Sequence, residues 1–403
     1  MENPSRRPLD GVRILDLTRV LSGPFCTALL ADIGAEVIKI ESPGGDDQRH
    51  MGAMRAGRSI NFELINRNKK SLCADLKSKA GQEAIADLVP HCDVVVENFR
   101  PGVAARLGLG YDRMRALRSD LIYCSISGFG QAGPLAARPS YDALAQAMSG
   151  FMSVTGAPDG PPVFAGDSIG DTVPGLFAAW AICAALYRRE RTGQGECIDI
   201  SMFDSLFSLL PTALSQYQVT GKAPARSGAN HPLSAPFGAY RAGDGYFILA
   251  VANNTLFAKL AAAIGAPDLA ADPRFASDQA RRAHEPALRL VIEAWAAPLA
   301  AQDAIARLDA AGIPAAPIWD MAEAASSAQI AARQLLSTCD RPGLGRLDLP
   351  EQPAIFASYG RGAQRPAPDL GADTEAVLAT VAGWDKARIA EFAALLSTLK
   401  EAD

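Results

Sequence analysis

The chain has 403 residues, of which 49% are hydrophobic and 21% are charged, a composition typical of globular proteins. Because a single hydrophobic core rarely grows beyond about 250–300 residues, this length predicts two domains. The net charge of −5 argues against a nucleic-acid-binding protein, which usually carries a basic face.

The first half of the chain alternates between strand and helix patterns. The predicted strands are Val12–Leu17, Val37–Ile40, Ser71–Leu76, Asp93–Glu97, Leu121–Ser125 and Cys197–Ile200. The predicted helices are Pro24–Ile33, Gly81–Val89, Tyr141–Met152 and Thr172–Arg189. Apolar strands separated by helices are typical of a buried parallel sheet. We therefore predict an α/β fold with an open, mostly parallel, Rossmann-like sheet.

A Gly-, Pro- and Ser-rich stretch at Gly221–Pro236 predicts a domain boundary. A strand pattern, a helix pattern and alanine-rich helices follow it, which indicates a smaller α+β domain. Pro342–Pro350 resembles a second linker, and Ala387–Lys400 predicts a closing helix. We predict a large domain at 1–224, a small α+β domain at 225–336, and a segment at 337–403 that returns to the large domain.

The cysteines and the apolar runs indicate the cellular compartment in which we expect the protein. The chain has seven cysteines, an odd number, and none form a C-x-x-C pair. This argues against a disulfide framework or a structural zinc site, so we expect no metal. The apolar run Val173–Tyr187 is shorter than the roughly 20 residues of a membrane span, and the N-terminus lacks a signal-peptide pattern. We predict a cytoplasmic protein without a membrane or nucleic-acid partner.

One catalytic motif is present and one is missing. The turn after the first strand, Leu17–Pro24, lacks the G-x-G-x-x-G of dinucleotide-binding proteins. Gly166–Gly170 matches the G-x-S-x-G nucleophile elbow of α/β-hydrolases, with Ser168 as its nucleophile and two histidines downstream. The elbow requires a preceding strand, which the prolines at 161 and 162 disfavour. A hydrolase using Ser168 remains an alternative.

Asp171 follows this motif and precedes a long apolar helix. Its carboxylate is well placed to cap that helix. The free backbone amides and the helix dipole would also keep it ionised, as a nucleophile for an activated acyl group. We expect Gly166 and Gly170 to let a ligand approach the backbone. The spacing leaves both roles, cap and nucleophile, open.

Five segments together resemble the class III CoA-transferases, also called the CaiB/BaiF family. They are Leu15–Val20, Gly34–Glu41, Asn66–Ser71, Val96–Gly102 and Gly170–Asp171. The resemblance covers nearly the whole chain. It implies an aspartate that attacks an acyl-CoA, forms a mixed anhydride and then an aspartyl-CoA thioester, and passes CoA to an acceptor acid. The matching aspartate is Asp171.

The resemblance also implies the residues that contact coenzyme A. They are Leu21, Ser22, Ala74, Lys77, Asn98, Phe99, Arg100 and Arg106. Lys77 and Arg106 would supply charge for the phosphates, and Phe99 an apolar surface. CoA esters are then substrates, and no permanently bound cofactor is expected. The family further implies an interlocked homodimer.

Two differences from the residues typical of the family restrict the reactions that we expect of this chain. Racemases of this family carry a histidine where this chain has Tyr141, so transfer is favoured over racemisation. Formyl-CoA transferases carry a glycine run where this chain has Gly228–Pro236, and a glutamine where it has Leu21. A formyl/oxalate pair is thus disfavoured. We predict a succinyl-CoA donor and a small dicarboxylate-like acceptor, with Tyr141 and His231 as substrate contacts. A racemase and a CoA-binding protein without transfer activity remain alternatives.

Overall fold

The computed structural model describes residues 7–361 and 364–400. The strands are β1 (Arg13–Asp16), β2 (Glu36–Glu41), β3 (Met54–Arg55), β4 (Arg58–Ser59), β5 (Lys70–Cys73), β6 (Val94–Glu97), β7 (Ile122–Ser127), β8 (Glu196–Ser201), β9 (Phe237–Arg241), β10 (Tyr246–Ala250), β11 (Ala315–Pro317), β12 (Leu336–Arg341) and β13 (Gly345–Pro350). The helices are α1 (Ser22–Asp32), α2 (Ile60–Ile65), α3 (Lys79–Leu88), α4 (Val103–Arg106), α5 (Tyr111–Leu117), α6 (Asp142–Met148), α7 (Phe151–Val154), α8 (Ile169–Thr192), α9 (Met202–Ser208), α10 (Pro211–Thr220), α11 (Asn254–Ala263), α12 (Asp278–Ala283), α13 (Glu285–Ala296), α14 (Ala301–Ala310), α15 (Met321–Ser326), α16 (Ala328–Ala332), α17 (Thr374–Thr380) and α18 (Lys386–Lys400).

Six strands form a parallel sheet in the order β5-β2-β1-β6-β7-β8. The chain winds outward from β1 in one direction and then from β6 in the other, which is the doubly wound order. In such sheets, ligands bind beyond the carboxyl ends of the strands where the winding reverses, here between β1 and β6. The predicted α/β fold is confirmed.

The central strands β1, β2, β6 and β7 contribute to a core on both faces of the sheet. Ile14 belongs to the apolar cluster that includes residues of α1 and α8, whereas the adjacent Leu15 belongs to the cluster that includes residues of α3, α17 and α18. Successive side chains of a strand point to opposite faces, so a strand covered on both sides must be apolar throughout. This is why the predicted strands are near-continuous hydrophobic runs.

The helix α8 is longer than predicted. It spans 24 residues and ends at Thr192, and Gly193, with a φ of 66°, caps it. By length and hydropathy alone α8 meets the criteria for a membrane span, which core helices also meet. Residues of α8 including Ala178 and Ile182 are buried in the cluster shared with α1 and the sheet.

The prediction of a single helix over Tyr141–Met152 was wrong, because Gly150, with φ of 92°, separates α6 from α7.

The described residues form two compact units. One comprises those within 1–151, 164–211 and 331–403, and the other those within 152–163 and 212–330. The smaller unit contains the antiparallel sheet β11-β10-β9, and its core includes Phe247, Leu260, Ile292 and Leu308 from β10, α11, α13 and α14. It is the smaller α+β element of the predicted fold. The predicted boundaries at 224/225 and 336/337 stay a prediction.

The predicted linker Pro342–Pro350 was wrong, because this segment forms most of the β12–β13 hairpin. Leu347 and Leu349 are buried on one face of β13, in the period-two pattern of a half-buried strand. Arg341, at the end of β12, donates to Glu63 of α2 at 3.0 Å. The hairpin is thus held by a contact with a residue far away in the sequence.

A buried charge network lies at the carboxyl ends of β1 and β2. Asp16 accepts hydrogen bonds from the Lys69 ammonium at 3.0 Å and from the Thr27 hydroxyl at 2.6 Å. Lys39 forms an ion pair with Asp46 at 2.7 Å, and all four charged side chains are buried. Burial alone would raise the pKa of Asp16, but Lys69 and Lys39 lower it to about 2. Burial lowers the pKa of Lys69 to about 8 in spite of Asp16.

Candidate active site

The turn between β1 and α1, residues 18–21, leaves the sheet where the winding reverses. We call it the first turn. Asn98, just after β6, accepts from the Arg19 amide at 2.9 Å and donates to the Arg19 carbonyl at 2.8 Å. Asn98 was predicted to contact coenzyme A, and in the structure its amide is engaged with this backbone. The two strand ends are thereby tied together across the switch point.

A cavity of about 290 Å³ opens beside the first turn, and we call it the Asp171 cavity. Its lining comes from the first turn, the segments after β6 and β7, and the starts of α6, α8 and α9. The lining residues are Arg19, Val20, Leu21, Ser22, Asp47, Asn98, Phe99, Arg100, Pro101, Val103, Ile126, Ser127, Gly128, Arg138, Ser140, Tyr141, Asp171 and Met202. Seven of the predicted site residues therefore share one cavity: Leu21, Ser22, Asn98, Phe99, Arg100, Tyr141 and Asp171.

A second cavity of about 310 Å³ adjoins the first, and we call it the Lys77 cavity. It contains Ala74 and Lys77, together with apolar side chains such as Ile40 and Leu107. The two cavities share Arg19, Asp47, Phe99 and Val103 in their linings. Phe99 and Val103 thus lie between the cavity that contains Lys77 and the cavity that contains Asp171.

Two predicted residues lie outside both cavities. Arg106 is exposed at the last position of α4. His231 belongs to the smaller unit, where its ring stacks on Phe237 at a centroid distance of 4.6 Å. The His231 Nδ1 atom accepts from the Leu233 amide at 3.2 Å, which leaves the proton on Nε2 in the neutral ring.

Asp171 is the third residue of α8, so the expectation that it caps this helix was wrong. The N-cap is Ser168, whose carbonyl accepts from the Asp171 amide at 3.1 Å. α8 passes close to α1, and this brings Asp171 to the turn at residues 18–21. A Cβ atom on Gly175 would lie 2.6 Å from the Ser22 carbonyl oxygen, so only glycine fits there.

Two polar side chains of α6, the half-buried Asp142 and the buried Gln146, hold the segment that precedes Asp171. The Asp142 carboxylate accepts from the Gly170 amide at 2.6 Å and from the Gln146 amide at 2.9 Å. Gln146, which is fully buried, accepts in turn from the Ala165 amide at 2.9 Å. Gly170 was expected to face a ligand, but a Cβ atom there would lie 2.7 Å from an Asp142 oxygen. Gly170 is thus required for the contact with α6.

The expected ionisation of Asp171 was wrong in direction. Burial, together with the nearby Asp142 carboxylate, raises the pKa of Asp171 to about 7. The Gly170 amide, which would otherwise offset this, donates to Asp142 instead. No hydrogen bond to the Asp171 carboxylate is present within residues 7–361 and 364–400. Near neutral pH the group therefore exists in both forms, and its ionised form is a stronger base and nucleophile than an ordinary aspartate.

The cavities carry positive side chains that the predicted site only partly included. Arg100 and Arg138 line the Asp171 cavity, and Lys77 lines the adjoining one. In the described part of the chain, none of these three forms an ion pair. They are available to an anionic ligand. Sequence reasoning missed Arg138, although its position three residues before Tyr141, in the segment after β7, was a signal.

The nucleophile elbow proposed for Ser168 does not form. Residues 161–165 contain no strand, and Ser168 starts α8 without a side-chain capping bond. An elbow needs a strand that delivers the serine into a sharp turn. The structure therefore does not support the hydrolase alternative.

Comparison with known proteins gives a consistent result across most of the chain. Residues 9–374 match the model of CoA-transferase family III. An acetyl-CoA:oxalate CoA-transferase of Acetobacter aceti is 44% identical, with 90% of this chain and 93% of that protein covered. A succinyl-CoA–D-citramalate CoA-transferase of Chloroflexus aurantiacus is 40% identical, with 94% of each covered. The crystal structure of a CaiB/BaiF family protein from Brucella suis superimposes with a TM-score of 0.84 at 37% identity, covering 93% of this chain and 100% of that one.

The pKa of Asp171 provides a direct test of the site. We expect the carboxyl carbon of Asp171, followed by carbon-13 NMR, to titrate at about pH 7. In Asp142→Asn the midpoint should fall, because a neutral amide no longer repels the charge, but should stay above 3.8 because burial remains. The asparagine oxygen can still accept from Gly170. Asp171→Asn identifies the resonance by its loss. A wild-type midpoint near 4 would contradict this electrostatic account.

Proposed function

Because this chain belongs to CoA-transferase family III, and is therefore a CoA-transferase, we propose that Asp171 is its nucleophile. The observation that carries the proposal is the position of Asp171 in a cavity whose lining joins that of the Lys77 cavity. A CoA ester is long, anionic at its nucleotide end and reactive at its thioester end. The cavity with Lys77 and apolar walls suits the nucleotide, and the thioester then reaches the carboxylate.

The reaction proceeds by acyl exchange at Asp171. An oxygen of the ionised carboxylate attacks the thioester carbonyl, the carbon–sulfur bond breaks, and a mixed anhydride and the CoA thiolate result. The thiolate attacks the Asp171 carbonyl carbon, which releases the donor acid and leaves an aspartyl-CoA thioester. The acceptor carboxylate attacks the carbonyl carbon of this thioester, its carbon–sulfur bond breaks, and a second mixed anhydride and the CoA thiolate result. The thiolate then attacks the acceptor acyl carbon of this anhydride and forms the new CoA ester. Asp171 returns as a carboxylate, and no further reactant is consumed.

We propose succinyl-CoA as donor and a small dicarboxylate as acceptor. A distal carboxylate needs a cationic or hydrogen-bonding partner. Arg138 lines the same cavity as Asp171 and has no ion pair among the described residues. Relatives are named for oxalate and for D-citramalate as well as for glutarate. Leu21 and the absence of a glycine run in Gly228–Pro236 favour the larger acids over oxalate.

Racemisation is the second reaction within this family, and two observations disfavour it. Tyr141, at the place of the racemase histidine, is 69% exposed and caps α6 by its backbone. The neighbouring Asp142 is engaged with Gly170 and Gln146. A two-base reaction at an α-carbon needs two free proton-transfer groups, and this pair does not supply one.

Exchange of CoA esters, followed by mass spectrometry, tests the nucleophile. Wild type with succinyl-CoA and glutarate, citramalate or oxalate should form the new CoA ester, and Asp171→Asn should reduce the rate by a factor on the order of 10⁴ or more. With donor alone, only wild type should acquire a covalent CoA adduct. Ser168→Ala is the matched control and should keep the rate within a few-fold. Exchange that survives in Asp171→Asn, or is lost in Ser168→Ala, would refute the assignment. CoA binding without exchange would indicate a binding protein.

We also propose that His231 contacts the distal carboxylate of the acceptor, with its loop as a lid. The bond from Leu233 to Nδ1 leaves an N–H on Nε2 to donate. His231→Ala should raise the KM for glutarate roughly tenfold and leave that for butyrate unchanged, because only the former has a second carboxylate. His284→Ala is the control, since the His284 Nδ1 atom is bonded to the Ala280 carbonyl at 2.9 Å. Equal effects on both acids would rule out a distal contact.

The homodimer implied by the family remains a proposal, and α8 supports it. Leu176, Trp180 and Tyr187 lie on one face of this helix and are 57%, 69% and 61% exposed. An exposed apolar stripe of this kind suits a second copy of the chain. Sedimentation at micromolar concentration should show a dimer that Trp180→Glu weakens. Leu395→Glu, at an apolar residue of α18 with 48% exposure, serves as the control. A wild-type monomer would exclude the dimer.

A further inference from the structure

Val20, in the first turn, has a backbone conformation that its side chain disfavours. Its φ is 66°, in the left-handed region that glycine and asparagine usually occupy. Four non-glycine residues of the described chain have positive φ, and of these Val20 is the β-branched one: the others are Ala56, Asn68 and Gln334. Such conformations persist only when the surrounding structure enforces them, and they concentrate at functional sites. Val20 lines the Asp171 cavity.

The backbone of Thr18, Arg19 and Val20 is held by side chains from other segments at the carboxyl edge of the sheet. The Thr18 carbonyl accepts from the Lys39 ammonium at 2.9 Å. The backbone of Arg19 is bonded on both sides by Asn98. The Val20 amide donates to an Asp46 oxygen at 2.9 Å. The left-handed residue is thus fixed by Asp46.

Asp46 is itself held rigidly. It is 4% exposed, and the oxygen that accepts from Val20 also accepts from the Gln48 amide at 3.0 Å. Its second oxygen lies 2.7 Å from the Lys39 ammonium. Asp46 therefore joins the first turn to the buried charge network.

We propose that Asp46 is a positioning residue that holds Val20 in its left-handed conformation and thereby preforms the wall of the coenzyme A site. This inference rests on the proposed function and on the contacts of Leu21 and Ser22 with coenzyme A that the family resemblance implies. Without the Asp46 acceptor, Val20 relaxes to negative φ, and the peptide groups that lead into Leu21 rotate. Binding of coenzyme A must then rebuild the turn, which weakens affinity but leaves the chemistry at Asp171 intact.

The test uses coenzyme A itself as the probe, with calorimetry for its Kd and the exchange assay for kcat. Asp46→Ala should raise the Kd roughly tenfold, while kcat at saturating succinyl-CoA changes less than about threefold. Asp46→Asn keeps an acceptor for Val20 but loses the charge that faces Lys39, so it should weaken binding less than Asp46→Ala. Adding Val20→Gly to Asp46→Ala should restore most of the affinity, because glycine adopts positive φ without strain.

Recovery of coenzyme A affinity in the double variant distinguishes a positioning role of Asp46 from a general loss of structure. If Val20→Gly fails to restore affinity to Asp46→Ala, or if kcat falls as much as affinity, the proposal is wrong. Hydrogen exchange of the wild-type protein provides a test that needs no variant: the Val20 amide should be protected before coenzyme A is added. If the Val20 amide is protected only after coenzyme A is added, the turn is not preformed and the proposal is wrong. Failure of wild type to bind coenzyme A would instead refute the proposed function, together with this inference.

Discussion

The carboxylate of Asp16 is fully buried at the end of β1, and neighbouring side chains supply its hydrogen bonds. Lys69, Thr18 and Thr27 donate to it. Removing one partner from a buried pair of this kind typically destabilises a protein by about 3–5 kcal/mol, because the remaining charge is left unpaired. The first turn and α1 consequently have one position relative to the sheet, and both cavities are built on that position.

The same edge of the sheet also holds the end of the chain. Glu41 accepts from Arg49, and Arg49 donates onward to the Pro368 carbonyl at 3.0 Å. Ser71 accepts from the Gly371 amide at 2.9 Å. Pro368 and Gly371 are thereby bonded to Arg49 and to Ser71 of β5, which lie about 300 residues earlier in the sequence. A polar network that is fully satisfied can order distant segments, whereas an apolar contact would tolerate slippage.

Asp171, the proposed nucleophile, shows how a reactive group and a structural contact compete for one helix terminus. The amide that precedes it donates to Asp142, which fixes the loop but leaves the Asp171 carboxylate without that donor. The consequence is a carboxyl group with a raised pKa, which is less often ionised at neutral pH but more nucleophilic when it is. Such a balance suits a group that must both attack a thioester and leave from an anhydride.

The sequence by itself determined the doubly wound sheet, because apolar strands covered on both faces leave an unmistakable pattern in positions such as Ile14 and Leu15. It also identified nine of the residues that line the two cavities, since the family resemblance and the convergence of strand ends in a parallel sheet point to the same edge. Only the tertiary structure decided the properties of Asp171 and Val20. Their partners, Asp142 and Asp46, lie 29 and 26 residues away. The β12–β13 hairpin was likewise missed, because its Pro and Gly residues mark a turn whose strands are identified only by the buried contact of Arg341 with Glu63. Local patterns report burial and turns, but a pKa or a strained dihedral is set by whichever charged group folding brings within hydrogen-bond distance.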